Sequence, residues 1–512
     1  MKARIETSVL KDEQGNIIGD GFVRMRIVPI MEGKELIDFL TSGVNSSIDE
    51  LKKRMSGYDR HSLFSIWLIF VRQMEEFINI GFELGACCEE LFNRIHLEKE
   101  SELEVFGSLV KKNFGTDVNS RFQDLADLFK GCAVVGDDGR KPAGSLYDLL
   151  IFLQSRRLHI MTILNLIPLY AQGDTSFCRE GIPSRMDEWI GILMNITTGN
   201  QAILEAQCLQ DFYAKVTPKG LVFSQQYTHL DKNFLEPQQL TPVELEQYRN
   251  GQLGKRDTKK KRYICSKDEY ELIMQNEKAY NERYGITEKV EYKELMAFMN
   301  EIKMYFKDDY AIEVSNRDFD RLRRTYANLE LHKEMEEFDD IENSRYGFVY
   351  MDGVYYSTYF MLLRYYTNCV MKMLRKRRKY QIEAGFVFED QVKSIVSGYG
   401  FDVQTDCKRI ERKEFDVVCV KDGTIYNFQC KNNYVNVSTI GLRETTATCR
   451  RIRHLNSYYK AALRKEEGRE HLLKGKLKIN KVKHFVISRY PVISDNERVI
   501  PFNGLDEWCE AN

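Results

Sequence analysis

From residue 381 onward the hydrophobic period changes from that of a helix to that of a strand, stays there for three short segments, then returns to a helix and a last strand. Gln381 to Ser397 sets Phe386, Glu389, Val392, Lys393 and Val396 at helical spacing, and Gly398 and Gly400 stop the helix. Phe401 to Ile410, Phe415 to Val420 and Thr424 to Lys431 alternate as strands, the last two joined as a hairpin across Lys421, Asp422 and Gly423. Few architectures accept this order. Residues 381–512 are expected to form an α/β domain of order αβββαβ around a central mixed sheet.

The rest of the chain reads differently. Ala3 to Leu10 and Ile17 to Ile30 alternate about the turn at 13–16, which predicts a short β-hairpin at the start of a mostly helical region, 1–215. Leu63, Ile66, Trp67, Phe70 and Phe77, then Leu146, Leu149, Leu150 and Leu153, supply the helical stripes. Between 216 and 264 the period is lost and polar residues, Gln, Pro and Gly accumulate, ending in a basic run at 255–262, so a linker or arm is expected there. Residues 265–380 are expected to be a helical middle domain, closed by a second basic run at 376–379.

Composition excludes several classes. The 75 Lys and Arg nearly cancel the 76 Asp and Glu, so any argument for a polyanionic partner must be local. Twelve cysteines without a single CxxC pair suit neither a zinc ribbon nor a disulfide framework and fit a reducing compartment. No signal-like N-terminus and no apolar run of bilayer length are present, so a cytoplasmic protein without a membrane partner is expected. The eight histidines show no metal-ligand spacing, and no GxxxxGK[ST] loop occurs, which leaves any ATPase to a separate subunit.

The chemistry concentrates in 381–512. In an extended strand Gln429 and Lys431 share a face while Cys430 points away, and a hairpin folds Asp416 back toward them. Phosphodiester hydrolysis calls for a hard divalent cation, an oriented water and an aid to its deprotonation. Asp416 can bind Mg²⁺ or Mn²⁺, Gln429 can offer its amide oxygen, the backbone carbonyl of Cys430 can complete the shell, and Lys431 can place the water and offset developing charge. Glu389 can add a carboxylate from the helix.

On GlyPheValPheGlu at 385–389, PheAsp at 415–416 and GlnCysLys at 429–431, this part of the chain resembles the PD-(D/E)xK superfamily of restriction-endonuclease-like nucleases, in its Mrr-like GlnxLys variant. The resemblance covers roughly the last 130 residues. It implies a Mg²⁺-dependent endonuclease with Asp416 as metal ligand, Lys431 as catalytic lysine, Gln429 at the substituted ligand position and Glu389 as the helical acid. Phe415 stands where the family has proline, and Gln429 where it has an acid, which lowers the charge of the ligand set. By family analogy the substrate is DNA and the setting restriction or anti-phage defence, with a homo-oligomer or a partner subunit left open.

The helix expected over 443–466 carries Arg443, Arg450, Arg451, Arg453 and Lys460, which can neutralise phosphates, while Leu455, Tyr459 and Leu463 form a face that can cover the sheet. Two other readings stand beside the DNA nuclease: a non-catalytic nucleic-acid-binding or scaffold protein on a decayed nuclease fold, and an RNase of the same fold.

Overall fold

A computed structural model describes residues 2–9, 23–85, 99–114, 116–129, 146–218, 220–224, 241–250, 267–308, 310–341, 346–435, 440–441 and 445–512. The basic run at 255–262 and the first turn at 13–16 lie outside these residues. Two compact units are formed. One takes Met1–Ser47, Asn195–Phe234 and Gln391–Asn512, the other Ile48–Met194 and Leu235–Asp390.

The second unit is largely helical. Helices Arg60–Gly85 and Leu146–Tyr170 carry the apolar stripes read from the sequence, and Leu63, Trp67, Phe70, Leu150 and Leu153 are all buried. Trp67 Nε1 donates to the Ile160 carbonyl at 3.1 Å, which lets a large indole sit in an apolar interior without an unmet donor. Among these helices Glu75 is buried and held by Arg364 at 2.8 Å and Arg157 at 3.5 Å. The region expected to be a helical middle domain contains a three-stranded antiparallel sheet as well, Ala311–Ser315, Val354–Thr358 and Val349–Met351 in that order. Its aromatic strand residues pack tightly, with Tyr355 stacked on Phe319 at 3.6 Å between ring centroids.

Part of the expected linker is ordered structure. Pro242–Arg249 is a helix closed by a capping box, in which Thr241 Oγ1 accepts from the Glu244 N–H and the Glu244 carboxylate accepts from the Thr241 N–H. Polar composition hid it. At its end Arg249 and the Tyr284 hydroxyl both donate to Glu383, at 2.8 and 2.7 Å.

The first unit holds two sheets. Strands β1 (Lys2–Val9) and β2 (Val23–Glu32) form the expected hairpin, and helix α1 (Gly33–Met55) follows directly, with Gly33 at φ +56° making the turn a side chain would resist. Helix α2 (Ile182–Cys208) leads into β3 (Tyr213–Thr217) and β4 (Gly220–Phe223), which complete an antiparallel sheet of order β1-β2-β3-β4. The first residues assigned to the linker thus belong to a sheet, because Val216 and Thr217 pair with Leu221 and Gly220.

The second sheet matches the expected element order and extends it. Helix α3 (Arg378–Gly398) ends as Gly400 turns at φ +80°, and the unit boundary falls within it after Asp390. There follow β5 (Asp402–Val403), β6 (Val417–Lys421), β7 (Thr424–Lys431), α4 (Thr445–Glu467), α5 (Glu470–Leu477), β8 (Lys481–Ser488), β9 (Val499–Pro501) and α6 (Leu505–Ala511). The sheet runs β9-β8-β7-β6-β5, parallel across β7, β8 and β9 and antiparallel at β6 and β5, so it is mixed. The long first strand expected over 401–410 is broken after two residues by a turn at Thr405–Cys407 and a small ladder, Arg409–Ile410 with Lys413–Glu414. There the backbone turns outward at Glu411 and Arg412, both with positive φ.

Candidate phosphodiesterase site

Local chemistry fixes the hairpin that carries the site. Lys421 pairs with Thr424 across Asp422 and Gly423, both at positive φ, as a two-residue turn matched to strand twist requires. That register sets Val418 opposite Asn427 and Val417 opposite Phe428, and one step further Asp416 opposite Gln429. Residues paired across a ladder share a face, so Asp416, Gln429 and Lys431 emerge together near the carboxyl end of β7. The carboxyl ends of parallel strands are where open α/β sheets bind ligands.

The three side chains meet. Lys431 Nζ donates to Gln429 Oε1 at 3.0 Å and lies 3.9 Å from Asp416 Oδ2, which accepts from the Cys430 N–H at 2.9 Å. Asp416 and Lys431 are about four-fifths buried, with side-chain exposures of 19% and 18%. Gln429 is buried, and among the described residues its Nε2 has no hydrogen-bond partner. An amide donor enclosed in this way costs free energy unless something it can donate to enters the site. Burial holds the Asp416 carboxyl above its ordinary range, against the Lys431 charge and the Cys430 N–H, which pull it down.

A raised carboxyl pKa means that the folded protein binds this proton more tightly than the unfolded chain does. Its contribution to stability is therefore present below pH 3.8 and lost as pH rises through the folded value. Asp416→Asn is neutral at every pH and keeps an acceptor for the Cys430 N–H. At neutral pH it is expected to melt above the wild type, by on the order of 2 °C, with the gap closing toward pH 4. Calorimetry from pH 4 to 8 checks this; a variant that melts lower than wild type at pH 7 refutes the desolvated carboxylate.

The remaining expected residues divide. Glu389 is half-buried on α3, and the boundary places it with the residues of the second unit. Among the described residues no three His, Cys, Asp or Glu side chains are grouped to hold a metal ion. Arg443 lies outside the described residues, whereas Arg450, Arg451, Arg453 and Lys460 are exposed on α4. Arg453 has a structural task, donating to the Gln207 carbonyl at 2.7 Å. Leu455, Tyr459 and Leu463 pack against Val486, Val492 and Val499, so α4 does cover the sheet.

Beneath the site lies a buried polar network that the sequence pattern alone does not reveal. Asn427 Nδ2 donates to Glu466 Oε2 at 2.9 Å and to His484 Nδ1 at 3.1 Å, which leaves the His484 Nε2–H to face Glu470 at 3.3 Å. Glu466 also accepts two bonds from Arg469, whose guanidinium lies 4.4 Å from the centroid of the Phe415 ring. The Glu466 charge adds to the upward push on the Asp416 carboxyl. One signal pointed here: Asn427 is a polar residue inside an apolar strand, two positions before Gln429 and on the same face.

Among the described residues no helix is long and apolar enough to cross a membrane. Comparison of the chain with protein-family models, with curated proteins and with solved structures finds no match to any of them.

Proposed function

We propose that the C-terminal part of this chain is a PD-(D/E)xK-like nuclease domain that hydrolyses phosphodiester bonds of nucleic acid, DNA in the first instance, with Mg²⁺ or Mn²⁺. The observation that carries the reading is the convergence of Asp416, Gln429 and Lys431 at the end of β7, in a mixed sheet flanked by helices. A Gln429 Nε2 group without a partner among the described residues and a desolvated Asp416 carboxyl support it, since both are satisfied by a polar, charged ligand.

The residues fit a hard cation in kind. Asp416 offers a carboxylate whose burial leaves its charge only partly met by Lys431, and Gln429 offers a neutral amide oxygen, the donors Mg²⁺ accepts when substrate phosphate and water complete its shell. When bound, the cation offsets charge on the phosphate oxygens. Asp416 and Gln429 would hold it, with the Cys430 carbonyl as a further oxygen. Lys431 Nζ, already donating to Gln429, positions a water by a second N–H and places a positive charge beside the phosphate. A role in restriction or anti-phage defence is part of the same proposal and rests on analogy.

That Asp416 is the one carboxylate among the three converging side chains favours the rival reading of a non-catalytic scaffold. Incubating the full chain with Mg²⁺ or Mn²⁺ and with duplex DNA, single-stranded DNA or RNA separates the readings. Cleavage of DNA that stops in EDTA is expected; cleavage of RNA alone moves the substrate class, and binding without cleavage leaves the scaffold.

On α4, Arg450 and Arg451 are exposed, as are Lys460, Arg464 and Lys465, and unlike Arg453 they carry no structural side-chain hydrogen bond among the described residues, so Arg450→Ala with Arg451→Ala is an informative charge removal. If they meet phosphates, binding weakens for all sequences and the salt slope of the affinity falls by about 0.9 for each duplex phosphate left without its cation. An unchanged slope in a folded double variant would confine α4 to covering the sheet.

A further inference from the structure

The side-chain oxygens proposed to hold the divalent ion already have a positive charge beside them. Lys431 Nζ donates to Gln429 Oε1 at 3.0 Å and stands 3.9 Å from Asp416 Oδ2, which also accepts from the Cys430 N–H. Gln429 is 5% exposed, and the side chains of Asp416 and Lys431 are buried for about four-fifths. A carboxylate so far from water needs a compensating charge within reach, and Lys431 supplies it from the last position of β7.

Two cations do not share such a place. An ion about 2.1 Å from Gln429 Oε1 would lie no more than about 5 Å from the Lys431 nitrogen on the same oxygen, where even the dielectric constant of water leaves a repulsion worth about tenfold in affinity. The charge count says the same. With Lys431 in place the Asp416 carboxylate is balanced and a divalent ion meets no net attraction, whereas with Lys431 turned out to solvent one negative charge is left to draw it in.

We propose that Lys431 is a built-in competitor for the divalent cation, its ammonium and the ion exchanging at Gln429 Oε1 and Asp416, so that the site loads only as Lys431 turns outward. The stem permits this exchange. Lys431 ends β7, and its flexible four-carbon chain lets the head reach water while the backbone stays paired with Ser488. From beside the ion rather than in its place, the ammonium holds a water and meets a phosphate oxygen. Loading is thereby tied to substrate: a phosphodiester gives the displaced ammonium a partner, which favours the ion, and by linkage the ion favours the phosphodiester to the same degree.

This inference rests on the cation reading of the site and deepens it, and its test reads metal binding rather than cleavage. Full-length protein is titrated calorimetrically with Mn²⁺, with Asp416→Ala marking the part of the heat that belongs to this site. Lys431→Met, which keeps the stem and removes the charge, is expected to bind Mn²⁺ about tenfold more tightly than wild type or better, and Lys431→Arg, which keeps the charge, no more tightly than wild type. Lys408→Met controls for charge at a distance. Lys408 also acts on the Asp416 carboxyl but pairs with Glu414 at 3.8 Å, and its loss should change the affinity by less than about twofold. In wild-type protein, where no variant has to fold, acetylation of Lys431 by an amine-reactive ester, followed by peptide mass, should rise several-fold when Mn²⁺ is added. Lys431→Met binding no more tightly than wild type, a gain as large in Lys408→Met, or Lys431 acetylation unchanged by saturating Mn²⁺ overturns the competition and leaves the cation site standing. Mn²⁺ heats in Asp416→Ala equal to those of wild type and Lys431→Met overturn the cation reading together with it.

Discussion

Lys431→Ala is expected to lower nucleic-acid cleavage by about 10³-fold, the scale found when one preorganised charge donor is removed from an active site, and to leave the fold intact. Stability is spared because Lys431 ends β7 and its ammonium contacts only Gln429 and Asp416 among the bonds that define the site. Asp416→Ala is expected to fall equally far. The double variant should lose little more than either single one, because groups that act as a unit do not add. Single-turnover cleavage with excess protein, alongside circular dichroism and melting curves, reads both effects. Either single variant that cleaves within about tenfold of wild type removes its residue from the chemistry.

Glu466→Ala is expected to destabilise the first unit by about 3 to 5 kcal/mol, the usual consequence of removing one partner from a buried ion pair. Glu466 is fully buried, and its loss strands the Arg469 guanidinium and the Asn427 amide together. Most of that cost is the desolvation of what remains rather than the strength of the pair. Replacing both partners, Glu466→Leu with Arg469→Met, should therefore recover much of the stability. Urea unfolding of the three proteins decides this. A single variant that loses under about 1 kcal/mol, or a double variant no better than the single, would show that Glu466 is not the hub of the network.

The parts of the structure that could be read from the sequence are those set by neighbours in the chain. Lys421, Asp422 and Gly423 specify their own turn, and from that turn alone follow the register of β6 on β7 and the shared face of Asp416, Gln429 and Lys431. Leu455, Tyr459 and Leu463 declare the buried side of α4 by spacing. The helix Pro242–Arg249 is equally declared, by Thr241, Pro242 and Glu244, but the surrounding polar composition outweighs so short a signal. What stays hidden needs distant partners. Glu466 looks like any charged residue near a helix end until Asn427, which also bonds His484, is brought to it from another element. The break in the strand after Val403 likewise depends on burying Cys407 and Phe415 together with Leu473.

The first unit is drawn from three stretches, Met1–Ser47, Asn195–Phe234 and Gln391–Asn512, with the whole of the second unit's sequence between them. A ribosome delivers chain from the N-terminus at about 5 to 20 residues per second. On that schedule β1, β2 and α1 emerge early, and roughly 20 seconds or more pass before β7 and α4 follow. Asn200, which donates to the Ile440 carbonyl at 2.6 Å, must likewise wait for residues synthesised much later. The second unit, although its own halves are split, has all of its sequence by Asp390. Synthesis thus imposes an order: the helical unit has all of its sequence and can close before the sheet that carries Asp416 and Lys431 has its strands.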